Sequence, residues 1–390
     1  MGTNLSGMIE RERVALRRTR ADLLDARHLP GEFYTSAEIY AQEVEKIFMK
    51  DWLCVGRVEQ WSQPGDFRAL RIADEPLLIC RDQQGSLNAF SNVCRHRGVE
   101  VAFGTGNQTE FQCPYHGWLY DLEGKLVGAP YSKEVKTFDF ANCRLPRVKL
   151  DTWAGYVFVN FDPSSPSLGE YLAQDEGVRK AQELLHPERT RICDEFTFEI
   201  ECNWKFIPEN LMDIYHAKVV HGSSFAKKFT MEGYPFRLGK NGRYHAEYES
   251  LTMAPDGIIL FGPMPWLRDR SEYLAFTVFI PPTFNLFGRQ DLIQPWVSLP
   301  LAPDRTQITI WTQLPEEHFA SPAFEEKTDI LKNFIRLVAA EDSAMLRSLH
   351  KGVRSRSYVP GPTIQLEKAI HHLLNYYLDR MFGESAGRPV

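Results

Sequence analysis

Positive charge is in deficit along this chain of 390 residues: 45 Lys and Arg stand against 51 Asp and Glu, a net charge of −6. A nucleic-acid binder presents a basic face, and this balance argues against one. No run of about 18 apolar residues occurs, so no helix is expected to span a membrane. Residues 1–25 carry Arg11, Arg13, Arg17, Arg18 and Arg20 without an apolar core segment, which does not fit a secretory signal. Cysteine is scarce, seven in all, odd in number and scattered. That argues against a disulfide framework and for thiols that are free or metal-bound in a reducing, cytoplasmic compartment. What is present is an ordinary globular composition, 43% apolar and 25% charged. It suffices for a sizeable core and rules out global disorder, and at about 100–200 residues per domain the length allows two or three.

Residues 8–28 read as a charged helix broken by His28-Leu29-Pro30-Gly31. A second helix is expected over 35–49, capped by Ser36 and striped by Ile39, Val44, Ile47 and Phe48. From Trp52 the texture changes. Short apolar runs at 67–72, 76–80 and 156–160 alternate with turn signals at 63–66, 82–85 and 123–124, the pattern of a small all-β domain. The polar, Pro-rich stretch 162–166 marks its end. Beyond it the spacing predicts helices over 168–186 and 208–218, a strand over 192–202, several strands between 243 and 313, a long helix over 322–350 and a shorter one over 364–381. In the 208–218 helix Pro208 suits the first helical position and Glu209 the first turn. The fold class expected is therefore α+β: N-terminal helices (1–49) packing on the last domain, a small β domain (50–160), and a larger domain (161–390) with an antiparallel sheet covered by helices.

The sharpest local signal is Cys94-Arg95-His96 followed by Cys113-Pro114-Tyr115-His116. Each half pairs a thiolate with an imidazole, and Gly98 and Gly117 stand behind them to supply tight turns. Two Cys and two His can hold tetrahedral zinc. They can also hold a [2Fe–2S] cluster in which imidazoles replace two thiolates on one iron. A zinc finger with a helical His pair does not fit, because each His sits beside its own Cys. The other five cysteines, Cys54, Cys80, Cys143, Cys193 and Cys202, lack such spacing and read as small buried hydrophobes.

A second constellation follows at 203–221. Asp213 and His216 are three apart and share a helix face, whereas His221, five further on, would point about 140° away on a continuous helix. The helix must end between the histidines if they are to share a metal, and Gly222-Ser223-Ser224 makes an ending there plausible. On the long helix Leu331, Ile335, Val338, Met345, Leu346 and Leu349 form an apolar stripe, with Asp342 near its middle and Glu341 at its margin. A carboxylate on an apolar face is costly unless paired or metal-bound. Two His and one carboxylate with open positions is the ligand set of non-haem Fe(II) oxygenases. His350, two turns beyond Asp342, reads as an ordinary helix-end histidine.

Cys94-x-His96-Arg97-Gly98 with Cys113-x-x-His116-Gly117-Trp118 resembles the Rieske motif, and with Asp213-x-x-His216-x4-His221 and a late Asp the chain resembles the large (alpha) subunit of Rieske non-haem iron ring-hydroxylating oxygenases. The resemblance runs from about Tyr34 to the C-terminal helix. It implies that Cys94 and Cys113 hold one iron of a [2Fe–2S] cluster and His96 and His116 the other. It implies that His216, His221 and Asp342 hold a mononuclear Fe(II), and that Asp213 bridges His216 to His116 of a neighbouring chain. O2 would be co-substrate, and NAD(P)H would act indirectly through a separate reductase, with or without a ferredoxin. No Gly-x-Gly-x-x-Gly follows a strand and no Cys-x4-Cys-x2-Cys occurs here, so those donors are expected on another polypeptide. Arg95 and Arg97 can help an acidic donor dock. A head-to-tail homotrimer with C3 symmetry is expected, with or without a small beta subunit.

Phe225, Phe229, Phe261, Trp266, Phe276, Phe279, Phe284 and Phe287 fall in the expected pocket region, and Arg268, Arg270 and Arg289 can each meet a carboxylate. The expected activity is mono- or dioxygenation of an apolar, aromatic compound. The alternatives are attack on a quaternary or N-methyl amine held in an aromatic cage, or electron transfer without catalysis.

Overall fold

The computed structural model describes residues 14, 16–224 and 236–383. It divides into two compact units, Phe48–Tyr171 on the one hand and Met1–Ile47 with Leu172–Val390 on the other. All seven cysteines are free. Among the described residues no helix is long and apolar enough to cross a membrane.

The apolar runs of the first unit become strands because residues that alternate with turns can only be satisfied by pairing with one another. Its strands are β1 (Leu53–Arg57), β2 (Asp66–Ile72), β3 (Glu75–Arg81), β4 (Leu87–Ser91), β5 (Thr105–Asn107), β6 (Glu110–Gln112), β7 (Leu119–Asp121), β8 (Leu126–Gly128), β9 (Arg147–Trp153) and β10 (Tyr156–Asn160). Seven pair in the order β1-β10-β9-β4-β3-β2-β5, and β6-β7-β8 form a small second sheet. Two loops therefore reach outward, one between β4 and β5 and one between β6 and β7. They carry Cys94-His96 and Cys113-His116.

The larger unit is built on one antiparallel sheet. Its strands are β11 (Thr190–Ile200), β12 (Arg237–Leu238), β13 (Tyr244–Glu249), β14 (Leu274–Ile280), β15 (Phe284–Arg289), β16 (Ile293–Ala302) and β17 (Arg305–Pro315), ordered β11-β17-β16-β15-β14-β13-β12. The helix Glu176–Leu185 packs on β13 and β14. Gly288 permits that approach: a Cβ there would lie 2.4 Å from the Leu185 side chain. The long helix Phe324–Val353 packs against β11, and Lys368–Phe382 is the last helix.

Several elements differ from expectation. Ser36 caps its helix, its side chain accepting from Ile39 N–H at 3.2 Å, but the α-helix covers only Ala37–Glu43 and continues as a π-helix over Val44–Phe48. The first expected helix is seen over residues 16–19, and residues 8–13 lie outside the described chain. The helix expected at 208–218 begins at Phe206, so Pro208 is its third residue, still within the first turn where a missing N–H costs nothing. It ends at Met212 because Asp213 turns extended (φ −83°, ψ 107°). A separate short helix, Ala217–Val220, follows. On the long helix Leu331, Ile335, Val338 and Leu346 are buried, whereas Met345 and Leu349 are about half exposed. Past Asp342 the covered face runs through Leu346, His350 and Val353, which leaves Met345 and Leu349 at its margin.

The helix Phe206–Met212 is fixed by a buried polar knot. Glu43, fully buried, accepts from Lys205 Nζ (2.5 Å), Trp204 Nε1 (2.7 Å) and Tyr377 OH (2.7 Å). Tyr34 OH donates to Glu209 at 3.0 Å. Burial draws the Lys205 ammonium below its ordinary pKa, which Glu43 partly restores, while burial pushes Glu209 up to about 7. Breaking a buried pair leaves an uncompensated charge, so Lys205→Met alone should cost about 3–5 kcal/mol, and Lys205→Met with Glu43→Gln should recover most of it. Urea denaturation of the two variants measures the difference.

Candidate functional site

The two loops of the smaller unit fold alike. Gly98 N–H donates to the Cys94 carbonyl (2.9 Å) and Cys94 N–H to Val99 O (2.9 Å); Gly117 N–H donates to Cys113 O (3.0 Å) and Cys113 N–H to Trp118 O (2.7 Å). Each loop turns on a glycine at positive φ, +82° at Gly98 and +72° at Gly117, which L side chains rarely adopt. The turns leave both sulfurs buried and both imidazoles exposed. The facing atoms of His96 and His116 are their Nδ1 atoms, 3.1 Å apart. Two nitrogens converging so closely suit one metal ion between them.

Around the sulfurs, burial pushes the Cys113 thiol up; backbone N–H groups of Tyr115 and His116 oppose this, and the Cys94 sulfur beside it adds to it. Two adjacent thiolates in a buried site need a cationic group, and the backbone donors are the usual partners of an iron–sulfur cluster. Loss of solvent and the positive charges of His96 and Arg97 hold His116 below its ordinary pKa, which favours the neutral, ligating imidazole. Tyr120 OH, which the sequence did not single out, lies 3.4 Å from Cys94 Sγ and accepts from Arg95 N–H. Trp118 stacks on His96 with ring centroids 5.0 Å apart. Arg95 and Arg97 are exposed, and the Arg97 guanidinium lies over the Tyr115 ring. Of the remaining cysteines, Cys54, Cys80, Cys143 and Cys202 are buried, and Cys193 is intermediate.

In the larger unit His216, His221 and Asp342 each offer one ligand atom, and these lie within 4.8 Å of one another. Asp342 Oδ1 is 3.0 Å from His221 Nε2 and 3.5 Å from His216 Nε2. It makes no aligned hydrogen bond, because the three atoms converge on a common point rather than on each other. His216 and His221 occupy the two cap positions of the helix Ala217–Val220, with His221 leaving helical geometry (φ −103°, ψ 16°), and so escape the divergence of a continuous helix. Burial opposes the charge on each group, but mutual attraction prevails: His216 rises to about 9, helped by Asp213, and Asp342 falls to about 2. A divalent cation at this point would take the place of those imidazolium protons.

Outer contacts orient the two imidazoles. Asp213 Oδ2 meets His216 Nδ1 at 3.2 Å, and its Oδ1 accepts from Tyr215 N–H at 2.7 Å. Glu341 Oε2 meets His221 Nδ1 at 2.7 Å and accepts from Ser224 Oγ at 2.8 Å. The sequence placed Glu341 only at the margin of the apolar stripe. The two adjacent acids do different jobs, since successive helix residues project about 100° apart. His350 is buried against Phe206 and does not join the group.

This triad borders a cavity of about 100 Å³. One wall is built from two helices, with Met212, Val338 and Asp342, and from Asp213 just past the end of the first. The other is a single sheet face: strand alternation brings Tyr244 and Tyr248 (β13), Thr277 (β14), Phe287 and Arg289 (β15), and Gln294 and Trp296 (β16) to one side. The same alternation removes candidates. Phe276 and Phe284 fall on the opposite face, and Phe279 stacks beside Tyr244 without lining the cavity. Phe261 packs with His318 and Phe324, and Trp266 lies under Arg189. Phe225 and Phe229 lie outside the described residues. Phe287 alone of the eight lines the cavity among the described residues, and Arg289 alone of the three arginines does; Arg268 and Arg270 are exposed.

Residues 187–383, more than half the chain, match the family of the ring hydroxylating alpha subunit (catalytic domain). The chain belongs to this family. Residues 51–139 match the Rieske [2Fe-2S] domain. A Rieske oxygenase uses a [2Fe–2S] cluster, a mononuclear iron, O2 and electrons from a reductase, and the donor sets above fit both metal groups. Curated relatives include the choline monooxygenase, chloroplastic, of Spinacia oleracea, 26% identical over 89% of this chain and 77% of the relative. They also include the carnitine monooxygenase oxygenase subunit of Acinetobacter baumannii, 28% identical over 84% of this chain and 86% of the relative. Solved structures of like fold include a quaternary ammonium Rieske monooxygenase with L-carnitine (TM-score 0.77, 23% identical, 93% of this chain and 98% of that one). Another is naphthalene 1,2-dioxygenase from Rhodococcus with indole (TM-score 0.76, 20% identical, 96% and 98%).

In this Rieske oxygenase, Asp342→Ala should abolish mononuclear iron binding while the visible cluster spectrum persists. Glu341→Gln, which removes only an outer contact, should weaken iron binding about 10–100-fold. Iron content after dialysis against graded chelator measures both.

Proposed function

We propose that this chain is the terminal oxygenase of a quaternary-ammonium monooxygenase. One oxygen atom of O2 is inserted into a C–H bond next to the nitrogen; the other leaves as water, with two electrons drawn from a separate reductase. The reading is carried by the relatives named for choline and carnitine, which span both units at 26–28% identity. It is supported by the aromatic wall of Phe236, Tyr244, Tyr248, Phe287 and Trp296, since aromatic faces attract an alkylammonium that hydrogen bonds cannot hold. The aromatic-hydrocarbon reading has only the fold likeness to naphthalene dioxygenase behind it.

The residue roles belong to the same proposal. Cys94, Cys113, His96 and His116 hold the cluster, and His216, His221 and Asp342 hold the iron. When bound, these groups store an electron and activate O2 respectively. Glu341 fixes the ring of His221 by accepting at Nδ1, so that Nε2 faces the metal. Asp213 does the same for His216 and keeps a side chain 20% exposed. His116 is exposed as well. We assign Asp213 as the link to His116 of a neighbouring chain in a homotrimer, fed by a reductase with or without a ferredoxin.

The test is substrate-dependent NAD(P)H and O2 consumption by the holoenzyme with a matched reductase, across trimethylammonium compounds and neutral aromatic hydrocarbons. Turnover of the former with release of an amine is expected; turnover of the hydrocarbons alone would sink the reading. Asp213→Asn should keep both iron centres and lower coupled turnover at least 100-fold. Normal product formation by that variant would refute the bridging role.

A further inference from the structure

The cavity that holds the metal triad on its helical wall holds an unspent cation on its sheet wall. Arg289 ends β15 on the face shared with Phe287, and it is only 6% exposed. Its Nη1 donates to the Gly288 carbonyl at 3.0 Å, its Nε is buried with no partner, and its guanidinium lies 5.4 Å from the Tyr248 ring centroid. Ala275 stands between the two in register, paired to Tyr248 on one side and Arg289 on the other, and its small side chain leaves the guanidinium room to reach the ring. Among the described residues no carboxylate forms an ion pair with Arg289. Asp291 feels its charge, but that buried carboxylate accepts instead from Thr252 Oγ1 at 2.5 Å.

A buried guanidinium is costly without an anion and cannot escape the cost by losing its proton. Its planar fork matches a carboxylate in two parallel hydrogen bonds. A purely cationic substrate would bring a second positive charge into the cavity, with Arg289 still unpaired. A substrate carrying both an ammonium and a carboxylate would bring the missing anion.

We propose that Arg289 anchors a substrate carboxylate, so that the substrate is a zwitterion, a quaternary ammonium carboxylate rather than a quaternary ammonium alcohol. The ammonium half rests on the function proposed above; the carboxylate half rests on Arg289 alone. Arg289 is thus a specificity-determining residue that touches substrate on the wall opposite the iron ligands.

The test compares the wild-type holoenzyme with Arg289→Gln and Arg289→Lys, each first shown to keep its cluster spectrum and iron content. Three probes are used: a trimethylammonium carboxylate, the matching trimethylammonium alcohol, and an aromatic carboxylate without nitrogen. Calorimetry on the oxidised, non-turning-over holoenzyme gives Kd, and coupled assays with reductase give KM and kcat. For the trimethylammonium carboxylate, Arg289→Gln should raise Kd and KM about 10–100-fold with kcat changed far less, and Arg289→Lys should restore part of the loss. The alcohol should bind the wild type at least 10-fold more weakly than the carboxylate and gain nothing from Arg289. Equal binding of alcohol and carboxylate, or a Kd for the carboxylate unmoved by Arg289→Gln, would overturn the proposal. Oxidation of the aromatic carboxylate alone, with a KM that rises in Arg289→Gln, would refute the ammonium reading and leave the carboxylate anchor standing.

Discussion

A carboxylate buried on the inner face of a long helix governs the larger unit. Asp342 cannot stay charged among Leu331, Ile335 and Val338 without a partner, and the partners are His216 and His221. To reach it, both imidazoles must point at one spot. The chain meets that demand by stopping one helix at Asp213 and starting a single turn at Ala217, so that the histidines sit at its ends. The knot around Glu43 and Lys205 holds the approach to this turn in place, and Glu341 and Asp213 lock the rings from behind. Each layer serves the geometry of the layer inside it.

The smaller unit solves the opposite problem. Its sulfurs are buried and its imidazoles exposed, on two loops closed by the same pair of backbone hydrogen bonds. Burial concentrates the negative charge that thiolates would carry, which a cationic group bound there would balance, while both imidazole rings stay within reach of solvent. A centre that must take an electron from one protein and pass it onward needs such access. The two units thus differ: one gathers His216, His221 and Asp342 beside a cavity, and the other keeps two imidazoles at its surface over two buried sulfurs.

The cavity shows how a sheet selects chemistry. Four aromatic rings, two amide or hydroxyl side chains and one guanidinium reach it because the strand period brings alternate residues to one face. Aromatic residues one position out of phase, such as Phe276, are buried on the other face and do not line the cavity. Counting aromatics in the region could not separate the two sets; the register across β13 to β16 does.

The sequence by itself singled out the two groups of side chains that the structure brings together, the α+β class and the order of the elements, because these rest on local matters: the spacing of Cys and His, the period of apolar residues, and the cost of an acid within a helix stripe. It also placed the strands at 67–72, 76–80 and 156–160 and both late helices to within a few residues. The break at Asp213, the exposure of Met345 and Leu349, the separate duties of Glu341 and Asp342, and the choice of Arg289 over Arg268 and Arg270 were decided only by tertiary structure. Each depends on which surface comes to lie against which, and contacts between residues more than a hundred positions apart, such as His221 with Glu341, leave no trace in local spacing.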